Sequence, residues 1–113
     1  MDKRYRLRKN SEFQKIYKRG KNYWNKYVVL YTMKNGQNYT RVGFSLTKKY
    51  GNSVERNRIR RQMKEIYRLN SNRVVGGYDL IFIPKIRTKG ATYEEIEDAM
   101  LGLLKRSHLL RTR

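Results

Sequence analysis

The sequence predicts an α+β fold, in which helices pack on a mixed sheet of about four strands. Three observations carry that expectation. Phe13, Ile16 and Tyr17 recur at i, i+3 and i+4, and Ile96, Ala99, Met100, Leu103 and Leu104 extend the same helical spacing over two turns. Between them, Tyr27 to Met33 and Arg41 to Leu46 alternate with the period of a strand. At 113 residues the chain supports one modest core, and no repeat or low-complexity linker divides it, so residues 1–113 are expected to form a single domain.

Each element has a local reason. MDKRYRLRKN, residues 1–10, reads as a basic, flexible arm. Ser11 then offers an N-cap with Gln14 three residues on, the spacing of a capping box. Lys18, Arg19 and Gly20 suit the end of that first helix. In the strand from Tyr27 to Met33, Tyr27, Val29, Tyr31 and Met33 share one face, and Val28, Leu30 and Thr32 the other. Asn35-Gly36 within KNGQN marks a hairpin loop. In the strand that follows, Val42, Phe44 and Leu46 oppose Gly43 and Ser45. Asn52 or Ser53 caps a long basic helix, with Glu55 at N3 if Asn52 is the cap; it runs to about Leu69 before the turn-rich NSNRVVGG. Tyr78 to Ile83 is a buried strand closed by Pro84, and the basic loop KIRTKG leads to a capping box of Thr92 and Glu95 on the last helix. The order is α, two or three strands, α, strand, α, taken as α-β-β-β-α-β-α.

Charge narrows the function. Lys and Arg number 28 against 9 Asp and Glu, a formal net charge of +19. Solubility needs a net charge of only about 2 to 8 in a small domain, so a polyanionic partner is the simpler account of the excess. The absence of cysteine excludes disulfides and thiolate zinc sites. With no secretory signal and no apolar run near membrane-spanning length, a cytoplasmic location is expected and no membrane partner.

Residues 51 to 68, GNSVERNRIRRQMKEIYR, concentrate that charge. On a helical wheel Ile59, Met63, Ile66 and Tyr67 form the packing arc. Arg56, Arg58, Arg60, Arg61, Lys64 and Arg68 spread over the remainder around Asn57. An ordinary solvated face mixes signs at i, i+4. Here Arg56, Arg60, Lys64 and Arg68 form a like-charge ladder, unfavourable without an anionic partner. Guanidinium forks grip phosphate oxygens bidentately, which points to nucleic acid, and Lys48 and Lys49 extend the patch.

Phe13, Tyr17 and Tyr31 are candidates for a second surface, since aromatics framed by cations can stack unpaired bases. Packing into the core accounts for them about equally well. A catalytic centre is harder to assemble. His108 is the sole histidine, and Glu94, Glu95, Glu97 and Asp98 sit in the first turns of a helix, where the macrodipole explains them. There is no phosphate-cradling glycine loop and no Ser-His-Asp set.

The stretch RVGFSLTKKYGNSVERNRIRRQMKEIYR resembles the signature of the protein component family of bacterial ribonuclease P, with its RNR motif at Arg56-Asn57-Arg58. RLRKNSEFQKIYKRG is similar to that family's opening helix, so the likeness spans nearly the whole chain. Ser53 stands where the family usually has Ala, Tyr50 where an aliphatic residue is common, and Lys64 where Arg is frequent. The resemblance implies a protein subunit that binds the catalytic RNA of ribonuclease P and the single-stranded 5′ leader of precursor tRNA. It would assist endonucleolytic removal of the leader and broaden substrate specificity. Arg56, Asn57, Arg58, Arg60, Arg61, Lys64 and Arg68 would face the RNA subunit, and Phe13, Tyr17, Val29, Tyr31 and Lys48 would line the leader cleft. The chemistry would belong to the RNA, with Mg²⁺ held through RNA and substrate, no catalytic residue in the protein and no dedicated protein partner. The resemblance further implies a left-handed β-α-β crossover, as in a ribosomal S5 domain 2-like fold, although about 98% of such crossovers are right-handed. The alternatives are a ribosomal or ribosome-assembly RNA-binding protein and a protein-only nuclease.

Overall fold

In a computed structural model, which describes residues 2–111, helix α1 spans Asn10–Arg19, strand β1 Lys21–Trp24, β2 Val28–Lys34 and β3 Arg41–Phe44. Helix α2 follows at Ser53–Asn70, then β4 at Tyr78–Pro84 and α3 at Tyr93–Arg106. The order is the expected α-β-β-β-α-β-α. Met1 of the basic arm and residues 112–113 of the expected domain lie outside the described residues. The four strands make one mixed sheet in the order β1-β2-β4-β3, with β2 antiparallel to β1 and β4, and β3 parallel to β4.

Local chemistry sets the two longer helices. Asn52 caps α2: its Oδ1 accepts from the Glu55 backbone N–H at 2.9 Å, while Glu55 Oε1 accepts from the Asn52 N–H at 3.0 Å. Thr92 and Glu95 repeat the arrangement on α3 at 3.1 and 2.9 Å. Ser11 is not the cap of α1. The cap is Lys9 and the helix starts two residues earlier, at Asn10, because Glu12 Oε1 reaches back to the backbone N–H groups of Arg8 and Lys9 at 3.3 and 3.1 Å. At the other end Gly20 is extended, with φ −77, so it supplies no left-handed cap. A Cβ there would lie 2.7 Å from both the Ile16 and Thr32 carbonyl oxygens. Glycine is needed for close approach of the helix end to β2.

Two sheet expectations require correction. Asn35-Gly36 does not close a hairpin, because β4 lies between β2 and β3. The segment turns, with Gly36 at φ 73, but crosses the end of β4: the Asn35 N–H donates to Gly77 O at 3.0 Å, and its side-chain amide donates to Asp79 Oδ1 at 3.0 Å. Partner choice between strands is non-local, and a turn dipeptide alone does not fix it. The strand left unplaced by the sequence is β1. Asn25 joins it to β2, its Oδ1 accepting from the backbone N–H groups of Tyr27 and Val28 at 3.1 and 3.0 Å.

The sheet has unequal faces. On one, Val28, Leu30, Val42, Leu80 and Phe82 pack against Ile59, Met63 and Ile66 of α2 and Ile96, Met100, Leu103 and Leu104 of α3. Each of these buried side chains contributes roughly 1.5–3 kcal/mol of burial. On the other, the buried hydrophobic cluster among the described residues is only Leu7, Ile16 and Ile81. Helix α1, 10 residues and about 15 Å long, covers part of that face and leaves the rest open.

Candidate nucleic-acid interface

Burying Ile59, Met63, Ile66 and Tyr67 turns the opposite arc of α2 outward. Burial pushes the Tyr67 hydroxyl up to about 12, so it stays neutral. Asn57, Arg58, Arg61 and Arg68 are exposed, while Arg56, Arg60 and Lys64 are half-buried. Partners for this charge are few. Glu65 pairs with Arg68 at 2.7 Å, and Glu55 with Lys89 at 3.4 Å. Among the described residues no carboxylate pairs with Arg56, Arg58, Arg60, Arg61 or Lys64. Arg60 instead donates to Asn57 Oδ1 at 2.9 Å and Arg56 to the Gly51 carbonyl, so the central Asn57 orients a cation rather than neutralising one. The like-charge ladder therefore persists in the folded protein, broken only at Arg68.

The aromatic residues lie across the edge of the sheet from that arc. Phe13 and Tyr17 on α1 have ring centroids 6.5 Å apart, and Tyr17 meets Tyr31 of β2 edge-on at 5.1 Å. All three are half-buried around the small Leu7, Ile16 and Ile81 cluster. A Cβ at Gly43 would lie 2.6 Å from the Phe13 ring, so the bare backbone of β3 is what seats that ring. Of the ten tyrosines only Tyr50 and Tyr67 are buried. Val29 lies on the Tyr31 face of the sheet, half-buried and level with Ile83. Lys48 is exposed on the turn Lys48–Tyr50 beyond β3, outside the groove beside Phe13. The structure thus brings Phe13, Tyr17 and Tyr31 together.

One groove joins the two surfaces. It is lined by Phe13, Gly43 and Phe44 on one side and Arg60 and Lys64 of α2 on the other, with Arg6 and Arg8 at its mouth. Arg6 also lines a depression with Arg61, Lys64 and Arg68. Its Nε is buried with no hydrogen-bond partner among the described residues. The arm reaches this place by pairing with β3: Arg6 bridges to Val42, and the Leu7 N–H donates to Val42 O at 3.0 Å. Sequence reasoning did not single out Arg6, Arg8 or Phe44. The RLR run carried the charge signal, but only the non-local pairing shows where it lies.

A polar clasp holds α1 in position. Asp79 is buried and takes two bonds from Arg41, from Nε at 2.9 Å and Nη2 at 2.7 Å. Arg41 Nη1 also reaches Glu12 Oε2 at 2.7 Å. Desolvation pushes the Glu12 carboxyl up, but the Lys9 and Arg8 amides and the Arg41 guanidinium outweigh it and hold the group below its ordinary 4.5. Glu55 and Glu95 are also lowered, chiefly by backbone N–H groups at their caps. A lowered folded value means stability that is present above pH 4.5 and lost as pH falls through the folded pKa. Melting temperature is expected to hold from neutral pH to about 5 and to fall below it, less steeply in Glu12→Gln. A flat profile down to pH 3, or an unchanged slope in the variant, would contradict this.

Two of the four carboxylates clustered at the start of α3 have structural work: Glu95 caps α3, and Glu97 accepts from the Asn70 amide at 3.2 Å. Among the described residues no group of three or more histidines or carboxylates could hold a metal ion. No helix there is long and apolar enough to cross a membrane.

Comparison with known proteins points the same way as the geometry. A family model described as Ribonuclease P matches residues 1–108. The ribonuclease P protein component of Alkaliphilus oremlandii (strain OhILAs) is 47% identical over 107 residues, covering 95% of this chain and 94% of that protein. That of Finegoldia magna is 49% identical over 109 residues, covering 95% and 94%. Among solved structures, the Staphylococcus aureus RNase P protein superposes with a TM-score of 0.87 at 33% identity, covering 95% of this chain and 98% of that one. The Thermotoga maritima RNase P protein gives 0.84 at 33% identity, covering 89% and 96%.

Proposed function

This chain belongs to the ribonuclease P protein family, and from that premise we propose that it holds the catalytic RNA with α2 and the 5′ leader of precursor tRNA with the cleft beneath α1. The observation that carries the proposal is the shared groove in which Phe13 of the cleft faces Arg60 and Lys64 of the basic helix. Two nucleic-acid segments could lie side by side there, each screened from the other by side chains of both surfaces.

Arg56, Asn57, Arg58, Arg60, Arg61, Lys64 and Arg68 form the RNA-subunit face, with Arg6 beside it. Their guanidinium groups grip phosphates, and Asn57 sets the direction of Arg60. Phe13, Tyr17 and Tyr31, with Val29 beyond them, offer rings and apolar surface to unpaired bases, and Lys48 offers charge to the backbone beyond. Mature tRNA has lost the leader, so this contact favours the precursor. In this reading the protein raises affinity and orients substrate, while RNA phosphates hold Mg²⁺ and hydrolysis proceeds on the RNA. A cytoplasmic site of action follows from the substrate.

Leader length tests the proposal in the holoenzyme. Tyr17→Ala should cost about 1–3 kcal/mol of affinity for a precursor with a leader of about five nucleotides, and almost nothing for one with a single nucleotide. Equal losses on both substrates would reduce Tyr17 to a folding role and remove the cleft from the account.

A further inference from the structure

Beyond the aromatic cluster, the strand register lines up a second row of side chains on the same face of the sheet. Asn22, Tyr31, Ile81 and Gly43 are cross-strand partners, and this row lies under α1, where Phe13, Ile16 and Tyr17 pack. The next row on that face is Trp24, Val29 and Ile83. Directly paired residues point to one side of a sheet, so Trp24 shares the face of Tyr31, diagonal to it at roughly 7–8 Å between backbones. Val29 and Ile83 are half-buried, and Trp24 is 59% exposed on the edge strand.

A scattered exposed apolar residue is ordinary. This one is not scattered, since it ends an apolar row continuous with the cleft. A cation also stands at its backbone: Arg106 is held at the strand edge by a 2.8 Å bond from Nη1 to the Trp24 carbonyl, while the Lys26 ammonium lies over the Tyr27 ring at 5.2 Å. An exposed indole that ends an apolar row on a protein of charge +19 fits an unpaired base of a polyanion, and fits a protein partner less well. We infer that Trp24 is a further stacking position, extending the leader cleft across Val29 to the edge of the sheet and gripping a nucleotide beyond those held at Tyr17 and Tyr31. The inference rests on the cleft reading proposed above.

Trp24 is the only tryptophan in the chain, so its fluorescence reports on this position alone. In the holoenzyme, precursor tRNAs whose leaders lengthen one nucleotide at a time should quench it only once the leader passes a threshold length, and mature tRNA should not. Trp24→Ala should lower affinity about five-fold for leaders past the threshold, leaving shorter ones and the melting temperature unchanged, and Trp24→Phe should restore most of the loss. The control is Tyr17→Ala, whose effect should begin at shorter leaders. Length-independent quenching, or an affinity for long leaders unaffected by Trp24→Ala while Tyr17→Ala still weakens them, would overturn the Trp24 site and spare the cleft. No effect of Tyr17→Ala at any length would sink the cleft itself. Fluorescence that shifts with protein concentration in the absence of RNA would assign the edge to protein association and overturn the inference.

Discussion

Arg60→Ala combined with Arg61→Ala is expected to weaken assembly with the ribonuclease P RNA more than any other pair of surface changes. Arg60 stands in the groove shared with Phe13, and Arg61 lines the depression with Arg6 and Arg68. Neither has a carboxylate partner among the described residues, so both charges are available to phosphate. Each lost phosphate contact lowers the salt slope by about 0.7–0.9, so the double variant should flatten log K against log salt by about 1.4–1.8. Counterion release alone then predicts an affinity loss of roughly 20-fold near 0.15 M salt. The fold should be untouched, because α2 packs through Ile59, Met63, Ile66 and Tyr67 on its other side. An unchanged slope would remove both residues from the RNA face.

The second large effect is on stability. Arg41→Ala strands the Asp79 carboxylate, which is only 3% exposed, with the Asn35 amide as its remaining side-chain donor. Breaking a buried pair from one side costs about 3–5 kcal/mol, and in a domain of this size the melting temperature should fall on the order of 15 °C. Replacing both partners, Arg41→Met with Asp79→Leu, should recover much of that, since no buried charge is then left alone. Glu12 also loses Arg41, so α1 should loosen on the sheet and the leader-dependent part of substrate affinity should fall further than stability alone explains. A melting point within a few degrees of wild type would show that the clasp carries little.

What the sequence disclosed follows the range of the interactions involved. The capping boxes at Asn52 and Thr92 and the apolar stripes of α2 and α3 are written within four residues of each other, and they stand as expected. So does the alternation of β2, where Val28, Leu30 and Thr32 are buried and Val29, Tyr31 and Met33 half-buried on the other face. The misreadings were non-local. Lys9 rather than Ser11 caps α1, partly because Arg41, distant in sequence, anchors the Glu12 carboxylate that reaches back to the Lys9 amide. Asn35-Gly36 turned the chain correctly but could not announce that β4 would enter between β2 and β3. The basic arc of α2 was legible as a ladder of like charge, whereas Arg6 became visible only once the arm was laid along β3. The balance between core and cleft at Phe13, Tyr17 and Tyr31 could not be struck from spacing, since it depends on how little of the sheet one short helix covers.

Site-directed crosslinking tests the central claim most directly, because a chain without cysteine accepts a unique one anywhere. In the assembled holoenzyme with precursor tRNA bound, a short photoreactive group on Asn57→Cys should attach to the catalytic RNA, and the same group on Val29→Cys to the leader. Attachment of position 57 to the leader or the tRNA body, or to no RNA at all, would contradict the account.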